Sequence, residues 1–222
     1  RFFILFRLMS SHASFLHREL FGGAIVMSIP KEFVDVSDFR PVPDHQEVFA
    51  DVDSDRSIIV EVLEHETRSD AGLYHFHDLA ETNEASQCVT VEQVDTIAKD
   101  ALPRIPTDRF SVRSVIGRQQ IAKFREGDSA RNDVRILLAV VQLPGVASDL
   151  LITYNKPLSI STASSSKKQG AEASESAVAA DEALFRAALA TLEVKDWALF
   201  GGGGMDEEEE GEGVVAEAVS GG

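Results

Sequence analysis

Three groupings of residues have the types that chemistry requires. His75 and His77 stand with Asp78 in the run YHFHDLAE, a set of donors suited to a metal ion. The surrounding pattern is helical, however, and residues two apart on a helix do not share a face, so the two imidazoles would approach one ion badly. No cysteine pair completes the set, because Cys88 is the only cysteine. Gly22 and Gly23 invite comparison with a phosphate cradle. Neither GxGxxG nor GxxxxGK is present, and no Lys, Ser or Thr stands at the offsets such a loop uses. The pair reads instead as a tight turn leading into a strand, since glycine adopts positive φ without strain. Glu61 and Glu64, in SIIVEVLE, could be the two carboxylates of a hydrolase. Residues three apart on a strand have opposite parity and point to opposite faces, which is wrong for a convergent pair. They serve one surface only if the strand ends, twists or bulges between them.

The elements that must position these residues are mostly strands. Period-two alternation or short apolar runs bounded by turn residues mark Gly23 to Ile29, Glu47 to Val52, Ser57 to Glu64, Cys88 to Val94, Phe110 to Phe124, Asp133 to Leu143 and Asp149 to Asn155. The segment DSDR reads as a hairpin turn between the second and third, and PGVAS joins the last two into an antiparallel pair. The near-continuous apolar character of that pair implies a central place covered on both faces. Two helices could supply the cover. One runs from Ser69 to Thr82, with Ser69 and Asp70 as capping candidates. The other carries Phe185, Ala188, Leu189 and Leu192 at helical spacing, with Asp181 and Glu182 expected in its first turn. The fold class is therefore α/β in the α+β sense, with a central antiparallel sheet. In FRPVPDHQEV, Pro41 and Pro43 stiffen a loop that presents Arg40, Asp44 and Glu47.

The formal charge of −16 is unevenly placed, half of it arising from eight acids between Asp196 and the C-terminus, where no base occurs. Glu32 to Asp70 holds twelve acids against Arg40, Arg56 and Arg68, whereas Lys99 to Arg135 holds nine bases against five acids. Such a field disfavours nucleic acid and favours a protein partner with a basic patch. No uninterrupted apolar run approaches the roughly 20 residues of a membrane span, and a single cysteine fits a reducing compartment. Little stable structure is expected in residues 1–19. The domain is expected over 20–200 with a mobile polar loop at 161–176, and the Gly/Glu-rich tail at 201–222 is expected to be disordered. Trp197 and Phe200 read as anchors of the C-terminal helix.

Several blocks in order carry a resemblance: LFGGAI, DVSDFRPVPDHQEVF, SIIVEVLEHE, YHFHDLAE, GRQQIAKF, VVQLPGVASDLLITYNKP and DWALFG. Together they resemble the Ran guanine nucleotide release factor family over about 180 residues, from Phe21 to Phe200. The resemblance implies an antiparallel sheet of about six strands flanked by helices on both faces, a fold shared with the extrinsic oxygen-evolving proteins of photosystem II. It also implies a GTPase regulator, acting by binding rather than bond chemistry, that binds Ran through a basic patch and promotes nucleotide release in support of nuclear import. A monomer in nucleus and cytoplasm, without cofactor, metal or membrane, goes with it. Residue by residue, it places Asp35, Arg40, Asp44, Glu47, Glu61 and Glu64 on the Ran-facing surface. Two other readings are a lumenal photosystem II extrinsic-type binding protein of the same fold and a carboxylate-based hydrolase.

Overall fold

A computed structural model describes residues 14–51, 53–105, 110–122, 127–164 and 175–201. Residues 1–13, most of the loop expected at 161–176 and all but Gly201 of the expected tail lie outside the described residues. In chain order the elements are β1 (Phe15–Leu20), β2 (Ile25–Pro30), β3 (Val34–Asp35), β4 (Gln46–Asp51), β5 (Arg56–Glu64), α1 (Ala71–Thr82), β6 (Val89–Ile97), β7 (Ser111–Ile121), β8 (Asn132–Leu143), β9 (Ser148–Ser159), α2 (Glu175–Leu189) and β10 (Glu193–Val194).

Seven strands form one antiparallel sheet in the order β3-β4-β5-β9-β8-β7-β6. β8 is buried at every position except Asp133, as its apolar run requires of a strand lying between two others under cover on both faces. Alternation sorts its side chains into two cores. Leu137, Ala139 and Val141 pack with Ile58, Val60, Ile152 and the α2 residues Phe185 and Leu189. Ile136, Leu138 and Val140 pack with Val115, Leu151 and Phe76 of α1. Each helix thus contributes to a different cluster. Truncating Phe76 or Phe185, both buried, would cost about 3–5 kcal/mol.

All seven expected strands are present, but the first does not join the large sheet. β2 pairs with β1 and β10 in a separate three-stranded sheet, and the seventh strand of the large sheet is the two-residue β3. The expectation of little structure before residue 20 is corrected for Phe15–Leu20, which pairs with β2 over six registered positions. His17, Arg18 and Glu19 hide this strand from a hydrophobicity pattern, because it lies at an edge and wets one side. Backbone pairing with β2 gives its inward-facing amides partners, and Arg18 Nη2 also donates to the Phe33 carbonyl at 3.2 Å. The turn between them uses Gly22 at φ 65° and Gly23 at φ 94°, left-handed values that explain the glycine pair.

The helices differ from expectation at their starts. α1 begins at Ala71, and Asp70 occupies its N-cap position without a side-chain capping bond. α2 begins at Glu175, so Asp181 and Glu182 sit in mid-helix instead of its first turn. Their charges meet strands rather than the helix dipole. Asp181 accepts from Tyr154 Oη and Lys156 Nζ, both at 2.6 Å, and Glu182 accepts from Arg135 Nη2 at 2.8 Å. These contacts fix α2 across β8 and β9. Burial first, and then the Asp181 carboxylate, pushes the Tyr154 hydroxyl well above its ordinary value, so it remains a donor. Trp197 and Phe200 are not part of α2. Their rings meet at a tilt, centroids 5.7 Å apart, in a separate 3-10 turn, Trp197–Phe200, that packs on the α2-side core and is capped by Asp196 Oδ1 accepting from Ala198 N at 2.9 Å.

Candidate functional site

Antiparallel register brings three connections to one end of the large sheet. β4 starts at Gln46 opposite Glu61, while Glu64 at the end of β5 faces Ser148 at the start of β9, which in turn faces Leu143 at the end of β8. The loop from β3 to β4, the segment after β5 and the turn from β8 to β9 therefore adjoin. Backbone bonds tie them together: Val62 N donates to His45 O at 3.0 Å and His65 N to Ala147 O at 3.1 Å.

The β3–β4 loop is held from within. Asp35 Oδ1 accepts from the Ser37 amide at 2.8 Å and its hydroxyl at 2.6 Å, closing a turn as short polar side chains do. Val36 N donates to Val48 O, Phe39 N and Arg40 N both donate to Val36 O, and Gln46 N donates to Pro43 O. On this frame Arg40 and Asp44 are exposed. Glu47 is half-buried, and its Oε1 accepts from Phe21 N at 2.6 Å, joining the two sheets.

Glu61 and Glu64 resolve the parity question. The β5–β9 register runs unbroken from Ser57 to Glu64, with no bulge between the two acids. They consequently point to opposite faces and do not converge. Glu61 is half-buried near His75 and Asp78, and its Oε1 accepts from Gln46 Nε2 at 2.6 Å. Burial raises its carboxyl above the ordinary range, and the Gln46 bond only partly offsets this. Glu64 is exposed and lines an open cleft of about 660 Å³ with Val62, Pro144, Val146, Leu199 and Phe200.

Sequence reasoning missed the group that secures this end. Asp149, wholly buried at the start of β9, accepts from His65 Nδ1 at 2.7 Å, His75 Nε2 at 2.8 Å and Glu66 N at 3.1 Å. Burial disfavours its charge, but the hydrogen bonds from His75 and His65 outweigh that and hold the carboxyl below its ordinary value. His75 is thus a structural partner of Asp149. The signal available was the polar Asp149 opening an otherwise apolar strand, since a buried carboxylate demands partners.

The expected two-sided charge is reduced on its basic side. Arg118 contacts Glu92 and Asp133, Arg135 contacts Glu92 and Glu182, and Arg131 contacts Asp128. On the acidic side Arg56 is taken up by Asp51 at 2.7 Å and Asp181 at 3.6 Å. Asp38, Asp44 and Glu64 remain exposed near the organised end.

An α+β domain that offers charged loops at one end of a rigid antiparallel sheet is the class this geometry defines. Within that class the chain belongs to the Ran-interacting Mog1 protein family, whose model matches residues 18–157. It is 34% identical over 193 residues to a Dictyostelium discoideum protein described as a probable Ran guanine nucleotide release factor, covering 84% of this chain and 97% of that protein. It is 41% identical over 142 residues to the Homo sapiens Ran guanine nucleotide release factor, covering 62% of this chain and 74% of that protein. The crystal structure of the Saccharomyces cerevisiae Ran-binding protein Mog1p shares the fold at a TM-score of 0.59 and 24% identity, covering 85% of this chain and 99% of that one.

Proposed function

We propose that this chain binds the small GTPase Ran and promotes release of its guanine nucleotide, supporting nuclear protein import as a monomer shared between nucleus and cytoplasm. The observation that carries the reading is the family match over residues 18–157, which includes the organised end of the sheet. Release needs no bond chemistry. A factor that holds the nucleotide-free GTPase more tightly than the loaded form weakens nucleotide binding by the same factor as nucleotide weakens its own. Asp44 and Glu64, exposed on the adjoining connections, are the direct contacts with a basic patch of the partner, and exposed Arg40 beside them pairs with an acidic or carbonyl group at the edge of that patch. Asp35 shapes the loop, and Glu47 and Glu61 stand at its base, where Glu47 ties it to the small sheet and Glu61 to Gln46. No helix of the described residues is long and apolar enough to cross a membrane.

The test is release of a fluorescent guanine nucleotide from loaded Ran, with wild type and with Asp44→Lys/Glu64→Lys. Wild type should accelerate release, and the double variant should slow association and lose its salt dependence. A folded wild-type protein that neither binds Ran nor changes the release rate would end this reading, whereas a fully active double variant would overturn only the contact assignment.

A further inference from the structure

We infer that Phe39 is the apolar anchor of this docking surface, inserting into a hydrophobic recess of the GTPase beside the basic patch that meets Asp38 and Asp44. The inference rests on the function just proposed and adds a residue and a kind of contact to it. Phe39 is 75% exposed, and among the described residues it is the only large aromatic side chain left in water to this degree. Isolated exposed apolar residues are common on protein surfaces and by themselves mean little. Phe39 differs in how its backbone is held.

Its own amide donates to Val36 O at 3.0 Å and that of Arg40 to the same carbonyl at 3.1 Å, while Val36 N is bonded to Val48 O of β4 at 2.9 Å. Asp35 closes the turn on one side, and Pro41 and Pro43 limit the chain on the other. The ring is therefore carried on a frame that has already lost its conformational freedom. With the backbone already held, docking has only the few torsions of the ring to order, a condition that favours one side chain dominating an interface. Its neighbours complete the usual composition of such a site: Arg40 next to it, and exposed carboxylates at Asp38 and Asp44 that give a polar, acidic rim. That acidic rim favours a partner whose recess is edged by lysine or arginine, and disfavours a second copy of this acidic chain, which would set like charges against one another.

The experiment measures Ran binding by calorimetry at two salt concentrations for wild type, Phe39→Ala, Phe39→Leu and Asp44→Ala. Because the ring is exposed, the melting temperature of Phe39→Ala should match wild type. Its affinity should fall on the order of tenfold with an unchanged salt dependence. Phe39→Leu should recover most of the loss, and Asp44→Ala should flatten the salt dependence instead. Wild-type binding with Phe39→Ala within threefold of it overturns the inference and leaves the proposed function standing. Absence of wild-type binding removes both. Sedimentation that shows wild-type self-association abolished by Phe39→Ala, with Ran affinity intact, assigns the ring to a copy of this chain and also overturns it.

Discussion

Replacing Asp149 with asparagine tests whether the organised end of the sheet depends on one buried charge. The carboxylate is wholly inaccessible and takes three hydrogen bonds, from His65, His75 and the Glu66 amide. Hydrogen bonds to a charged acceptor contribute about 1.5–3 kcal/mol each. Asparagine keeps one carbonyl acceptor, turns an NH2 toward a remaining donor, and is spared the desolvation of an ion. The net loss should therefore be about 3 kcal/mol, near the lower bound for breaking a buried pair. With a urea m-value of about 2 kcal/mol/M, the midpoint should fall by about 1.5 M at pH 7. The pH dependence has a definite sign. Because the folded-state pKa of Asp149 is depressed, its contribution is complete above the ordinary carboxylate value of about 4 and is lost as pH falls through the lower folded value. The gap between wild type and variant should accordingly narrow below about pH 4. A midpoint shift under about 0.3 M at pH 7, or a gap that stays constant into acid, would refute the reasoning.

Glu61→Gln should leave the melting temperature at pH 7 unchanged or higher. The carboxyl of Glu61 is raised by burial, so its contribution is full below the unfolded-state value and is lost as pH rises through the folded one; a thermal scan at pH 4 and pH 7 checks this. Tyr154→Phe removes the 2.6 Å bond to buried Asp181 and should cost about 1–2 kcal/mol in urea unfolding. Gly117→Ala should destabilise by about 2 kcal/mol or more, since a Cβ there would clash with the Thr90 carbonyl oxygen and lie 2.6 Å from Phe76 Cζ; a calorimetric scan with an unchanged midpoint would count against the packing described.

What could be read from the chain alone followed from local burial. The continuous apolar runs of β8 and β9 announce strands covered on both faces, and Phe185, Ala188 and Leu189 mark the buried stripe of α2, because each pattern repeats within a few residues of itself. The blocks from LFGGAI to DWALFG likewise pointed to the family, and FRPVPDHQEV to a stiff charged loop. β1, β3 and β10 were not legible. The first is polar along an edge, and the other two are two residues long and exist only through their partners. Asp149 was equally hidden, since its imidazoles lie 84 and 74 residues away in sequence. Glu61 and Glu64 showed their opposite parity in the sequence, but only the unbroken β5–β9 register decided that no bulge reunites them. Periodicity records which face of an element avoids water. Which distant polar group satisfies a buried charge is settled when the elements pack, and so only the tertiary structure could decide it.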